Sequence, residues 1–337
     1  LIGIGCSASA LGAFKLFIML FGKDKFPTVL GAMATVGVII GAFSSGPIQT
    51  LIERGVNVNY DNQRSQMATA TPTPRITSNA DPCESNDWVR FEDRALFQSL
   101  IESIQDQGIK YCSDNGGFGI TRTAVEEVTY LVASDRGIRF LDGLDAATNL
   151  REAHLKGNMV EEFWPLDFLY NLEHLDLRDN GIFDAFGLFD MQGLTNLNTL
   201  LLDNNNLVTL TGIENLYNLE ELYITNNRLC QDGFNPFDSL RANSYLRVLN
   251  ISYQQMDPCI SDIGFVYDLP NLHNLAIDGS NVNDLEPLRA MYSVEGLGLS
   301  DVRNVNDYSL LLGLNYVPNS GINFDNSNVP EDIYRQL

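Results

Sequence analysis

The feature that most constrains this chain is a short pattern of apolar residues and asparagine, L-x-x-L-x-L-x-x-N-x-L, returning along its second half. It reads LREAHLKGNMV from Leu150, LEHLDLRDNGI from Leu172, LNTLLLDNNNL from Leu197 and LEELYITNNRL from Leu219. It continues as LRVLNISYQQM from Leu246 and LHNLAIDGSNV from Leu272, with degenerate copies around Leu131, Leu297 and Ile322. The equivalent apolar slots Leu155, Leu177, Leu202, Ile224, Ile251, Ile277 and Leu299 recur every 22 to 27 residues. A unit this short cannot bury its own apolar face, so successive units must stack into a continuous core. Each unit supplies one short strand with its leucines inward, and stacking predicts a curved right-handed solenoid lined on its concave side by a parallel sheet. Asn158, Asn180, Asn205 and Asn227 are predicted to turn inward and satisfy backbone groups where the chain bends, which makes them structural rather than site residues.

This pattern resembles the leucine-rich-repeat family, and the typical spacing resembles its short, roughly 22-residue internalin-like bacterial class. The resemblance covers about residues 126–330. The fold class expected is an α/β leucine-rich-repeat solenoid over residues 126–337.

Alternation along a strand decides which residues face the concave surface, because successive side chains point to opposite sides. The outward positions run Tyr130, Val132 and Ser134; Glu152, His154 and Lys156; His174, Asp176 and Arg178; Thr199, Leu201 and Asp203. They continue with Glu221, Tyr223 and Thr225; Val248, Asn250 and Ser252; Asn274, Ala276 and Asp278; then Gly296, Gly298 and Ser300. The first half of this surface is charged and aromatic, and the last part is small and flat. The candidate partner-binding residues are Tyr130, His154, Lys156, His174, Asp176, Arg178, Leu201, Asp203, Tyr223 and Asn250. Leu201 beside Tyr223 is an apolar and aromatic pair in a polar field, the usual composition of a binding hot spot, set against two incidental apolar residues on a solvated face. His154, His174 and Asp176 are most simply solvated polar surface or a pH-sensitive contact, and no metal is assigned to them. Asn250-Ile251-Ser252 fits a glycosylation acceptor, but its place on a concave strand argues against modification.

The residues before the repeats divide into three parts. Cys83 and Cys112 bracket an amphipathic stretch, Asp87–Ile109, whose apolar residues fall at roughly helical spacing, so residues 83–125 read as a disulfide-stapled helical cap. Cys230 and Cys259 follow equivalent slots in consecutive repeats. The pairing expected is Cys83 with Cys112 and Cys230 with Cys259, which implies an oxidising compartment. Residues 57–82 are polar, with Thr71-Pro72-Thr73-Pro74, and read as a disordered linker. Residues 1–56 carry two apolar stretches, Leu1–Gly22 and Pro27–Ile52, each long enough at helical rise to cross roughly 30 Å of hydrocarbon, and read as a transmembrane helical hairpin. Lys23 and Lys25 in its short loop place that loop in the cytoplasm and the repeats outside, in the extracellular or periplasmic space. Gly37 and Gly41 stand at a helix-packing spacing that suits homo-oligomerisation within the membrane. The segment from Leu11 to Gly55 also resembles two transmembrane helices of a major-facilitator-superfamily transporter.

The formal charge of −22 excludes nucleic acid by repulsion from the phosphate backbone. The only lysines are Lys15, Lys23, Lys25, Lys110 and Lys156, so no polybasic patch exists for anionic lipid. There is no G-x-S-x-G elbow, P-loop, H-E-x-x-H or glycine-rich dinucleotide turn, and three histidines leave few general bases. The expectation is a membrane-tethered recognition module, not an enzyme and without a cofactor, that binds a protein or glycan on its concave face. The alternatives are a structural subunit of a surface assembly and, further off, an accessory segment of a transporter.

Overall fold

The computed structural model describes Cys83 and residues 87–337, apart from 115, 184–185, 190–191, 230–234 and 256–259. The expected membrane hairpin, the transporter-like segment, the linker and the Cys230–Cys259 pair lie outside the described residues. Among the described residues no helix is long and apolar enough to cross a membrane.

The chain opens with a small antiparallel sheet, β1 (Trp88–Arg90), β2 (Ser113–Asp114) and β3 (Gly119–Thr121), ordered β1-β3-β2. Between β1 and β2 lies helix α1 (Arg94–Asp106). Asp93 caps it by accepting from the backbone N–H of Ala95 and Leu96. The cap is therefore mixed rather than helical. Trp88-Val89-Arg90 pairs with Gly119–Thr121, so the start of the stretch expected to be helical is a strand. A β-branched valine between two outward residues packs well on a pleated surface, and the Asp93 cap starts the helix only after it. The expected disulfide joins Cys83 to Cys112, with a Cα–Cα distance of 5.3 Å. Helix α2 (Arg122–Glu126) leads into the repeats.

Nine strands follow in one sheet in chain order. They are β4 (Tyr130–Val132), β5 (Glu152–His154), β6 (His174–Asp176), β7 (Thr199–Leu201) and β8 (Glu221–Tyr223), then β9 (Val248–Asn250), β10 (Asn274–Ala276), β11 (Val294–Gly298) and β12 (Tyr316–Asn323). Every pairing is parallel and strictly in step from β4 to β11, aligning Leu131, Ala153, Leu175, Leu200, Leu222, Leu249, Leu275 and Leu297. All eight are at most 2% exposed. 3₁₀ turns such as Trp164–Phe168 and Glu286–Ala290 close most units on the far side, and the one-turn helix α3 (Phe186–Phe189) closes another. The last pairing, β11 with β12, carries a register shift between Val294 and Gly296, and helix α4 (Glu331–Tyr334) ends the chain.

The core is continuous from Val89 in the cap to Ile333. Helix α1 covers the first strand, whose edge would otherwise present unpaired backbone groups. Gln107 donates to the Tyr130 carbonyl at 2.9 Å and accepts from the Thr129 N–H at 2.9 Å, and the Ser103 hydroxyl accepts from the Val132 N–H at 3.2 Å.

The inward asparagines form the expected ladder. Asn205 donates to the carbonyls of Leu177 and Leu202, each at 3.0 Å, and accepts from the N–H groups of Asn180 and Ile182 at 3.1 and 3.0 Å. Asn158, Asn180 and Asn227 bond in the same manner, and Gln254 takes over the donor part in the next unit. Each bend also needs one left-handed residue just before the ladder position, supplied by Asp179, Asn204, Asn226, Tyr253 and Gly279 among others. At Gly279, φ is +71° and a Cβ would stand 2.7 Å from the Tyr253 ring, so both conformation and space require glycine.

Candidate recognition surface on the concave sheet

The in-step pairing turns the outward residues into straight columns running across the strands. One column is Tyr130, Glu152, His174, Thr199, Glu221, Val248 and Asn274, and the next is Val132, His154, Asp176, Leu201, Tyr223, Asn250 and Ala276. Lys156, Arg178 and Asp203 follow the ends of their strands.

The first four strands carry charges that are already paired. The Arg178 fork donates to both oxygens of Asp176, at 2.9 and 2.7 Å. Asp176, expected on the open face, is only 3% exposed. Burial works to raise its pKa, but the Arg178 hydrogen bonds prevail and hold it below the ordinary carboxylate range. It therefore orients Arg178 and does not meet solvent. The sequence pattern assigns facing but not partners, and this arginine two residues along folds back over its own carboxylate. Lys156 pairs with Asp179 at 3.5 Å, and the Tyr130 hydroxyl donates to Asp106 on helix α1. The bond to Asp106 raises the Tyr130 pKa.

His154 and His174 are diagonal neighbours with ring centroids 5.2 Å apart, and His154 Nε2 lies 3.6 Å from Glu152. Burial, reinforced by the charge of His154, lowers the His174 pKa against the opposing pull of Asp176, Glu152 and Glu221. Among the described residues, no group of three or more His, Cys, Asp and Glu side chains is arranged to hold a metal ion.

Leu201 and Tyr223 stand directly opposite each other across β7 and β8. Both are half-buried rather than fully exposed. The Tyr223 hydroxyl donates to Glu221 at 3.3 Å, and burial followed by the Glu221 charge raises its pKa. Asp203 accepts from the Thr225 N–H at 2.7 Å, while burial pushes its carboxyl pKa up.

From Tyr223 onward the face changes character. A depression of about 250 Å³ crosses β8 to β12, walled by Tyr223 and Val248, floored by Ala276, Gly296 and Gly298, and closed by Asn323. Asn250 lies in it, half-buried, its Oδ1 accepting from the Ser252 N–H at 3.1 Å. Of the candidate residues, His154, His174, Asp176 and Arg178 thus gather on β5 and β6. Leu201, Asp203 and Tyr223 gather on the next two strands, and Asn250 shares only Tyr223's end of the face.

Two features escaped the sequence reading. Asn171, Asn196, Asn218, Asn271 and Asn315 form a second ladder just before the strands, each donating from Nδ2 to a carbonyl of the preceding unit at 2.6 to 2.9 Å. In the connections that lead into these strands stand five exposed tyrosines, Tyr170, Tyr217, Tyr245, Tyr267 and Tyr292, between 50% and 80% exposed. The signal was present, since Tyr170, Tyr217 and Tyr292 each stand two residues ahead of the first apolar slot of a unit.

Solved structures share this architecture. An internalin from Listeria monocytogenes aligns with a TM-score of 0.57 and 20% identity, over 76% of this chain and 74% of its own. The chain folds as a leucine-rich-repeat solenoid. A leucine-rich-repeat protein of Leptospira interrogans aligns with a TM-score of 0.50 and 19% identity, over 63% of this chain and 59% of its own. At these identities the likeness establishes the fold of the leucine-rich-repeat solenoid and nothing finer. No protein-family model and no curated protein matches the sequence.

Proposed function

We propose that this chain is a non-enzymatic recognition module that holds a protein or glycan partner against the concave face of its solenoid. Residues 1–56 tether it to a membrane, and the repeats lie in the extracellular or periplasmic space. The observation that carries the reading is the Leu201–Tyr223 pair, an apolar and an aromatic residue set directly opposite each other on neighbouring strands at the middle of the concave sheet. Internalin and leucine-rich-repeat structures with the same architecture support a binding module in general. The Cys83–Cys112 disulfide supports an oxidising compartment.

The test starts from a partner selected on the full chain from a library of displayed extracellular proteins. Leu201→Ala combined with Tyr223→Ala should weaken that partner by about 2 kcal/mol or more while leaving the melting temperature near that of the parent. Unchanged affinity would remove the concave-face assignment. Fractionation of cells producing the full chain tests the tether separately, since recovery of the protein without detergent would contradict it.

A further inference from the structure

Resting on the concave-face reading but naming the ligand class, we propose that the depression at the C-terminal end of the sheet binds a neutral sugar unit of a glycan. About 250 Å³ is smaller than the roughly 300–1,000 Å³ of pockets that hold drug-sized ligands, so it admits a single small ring. Its lining includes one aromatic ring, Tyr223, whose hydroxyl is already engaged by Glu221. Its polar groups are carboxamides. Asn250 and Asn323 each use Oδ1 to accept a backbone N–H, from Ser252 and Asp325, and no described residue takes their Nδ2 donors. Asn274 donates to Glu295 at 3.1 Å and keeps its Oδ1 as an acceptor. A ring presenting hydroxyls that both donate and accept, with a flat C–H face for the tyrosine, satisfies this set.

Charge sets the neutrality. The lining contains no Lys, Arg or His, the nearby Asp278 holds Ser252 and Ser300, and the chain as a whole carries −22. A sialylated or sulfated sugar would meet carboxylates with no counter-charge. The flat floor is also enforced. A Cβ on Gly296 would stand 2.3 Å from Asn274 Oδ1, and one on Gly298 would stand 2.7 Å from Asp278 Oδ2.

Gly321 allows a clean test, because a Cβ there meets nothing within 4 Å and a larger side chain stands in the depression without displacing the fold. The labelled full chain is applied to an array of neutral, sialylated and sulfated oligosaccharides, beside Gly321→Leu and Asn250→Asp. The second variant keeps the acceptor for the Ser252 N–H and removes the Nδ2 donors. Binding of neutral oligosaccharides by the parent, lost in both variants at unchanged melting temperature, is the expected result. No neutral binding, a preference for acidic sugars, or binding that survives Gly321→Leu each overturns the proposal. If a selected protein partner still binds and is weakened by Leu201→Ala, the concave-face reading stands without the sugar. If neither probe binds, both fail.

Discussion

The two asparagine ladders give the most discriminating prediction, because they share residue type and period but differ in burial. Asn205 is 1% exposed and makes five hydrogen bonds to backbone, three given, one of them long at 3.4 Å, and two received. Asn205→Ala leaves the N–H groups of Asn180 and Ile182 facing a cavity in the core. At about 1 kcal/mol net for each bond lost, with buried N–H groups at the upper end of the range, the cost comes to about 3–4 kcal/mol. Asn196 makes one exposed bond, to the Tyr170 carbonyl at 2.8 Å, and water replaces it when the side chain is removed. Asn196→Ala should cost about 0.5–1 kcal/mol. Urea unfolding of both variants under one condition reads the difference directly, and the slope of the transition shows whether the core still melts as one body. Equal costs would mean that the buried ladder is solvated in the native state, and the argument from satisfied backbone groups would fall with it.

Three further outcomes follow from packing and charge. Leu202→Ala removes a wholly buried side chain and should destabilise by roughly 2–5 kcal/mol in the same assay, and an unchanged midpoint would mean the repeat register is wrong. Gly137 and Gly279 both have left-handed φ, but a Cβ at Gly137 meets nothing within 4 Å. Gly137→Ala should therefore cost about 1 kcal/mol for conformation alone, and Gly279→Ala clearly more through the Tyr253 ring; the reverse order in thermal melts would refute the packing argument. For His174 the folded pKa lies below its ordinary 6.5, so the unfolded chain binds the proton more readily. Its contribution is complete above pH 6.5 and is lost as pH falls below it, so the melting temperature of the parent should drop more between pH 7 and 5 than that of His174→Gln.

What the sequence made legible were the positions on which every unit depends. Leu131 through Leu297 lie inward because each unit needs that slot filled, and Asn205 is placed by its spacing from Leu202. Alternation then placed His154, Leu201 and Tyr223 on the concave side without any structure. It placed Asp176 there too, but said nothing of Arg178 closing over it, since a contact between near neighbours depends on rotamers and not on period. The strand Trp88–Arg90 was hidden for a different reason: its partner, Gly119–Thr121, is remote in sequence and the apolar spacing is compatible with a helix. The exposed tyrosines keep a fixed offset only in part: Tyr170, Tyr217 and Tyr292 stand two residues ahead of an apolar slot, but Tyr245 stands one ahead of Leu246 and Tyr267 five ahead of Leu272, so the period is broken where units vary in length.

These pairings also decide how the two halves of the concave face can contribute to binding. Arg178 is not a free anchor, because drawing it toward a partner would strand Asp176, a buried carboxylate, at a cost beyond what one surface ion pair returns. Lys156 is freer, since both side chains of its pair with Asp179 are partly exposed and the pair is worth little in water. The first half therefore offers one mobile cation, two histidines and the apolar contact of Leu201 with Tyr223. The second half offers amides and a tyrosine face with no cation at all. Salt screens only the first kind of contact. A partner held by β5 and β6 should lose affinity as ionic strength rises, whereas one seated between Tyr223 and Asn323 should not, so the salt dependence of the binding constant locates the ligand on the sheet before any mutation is made.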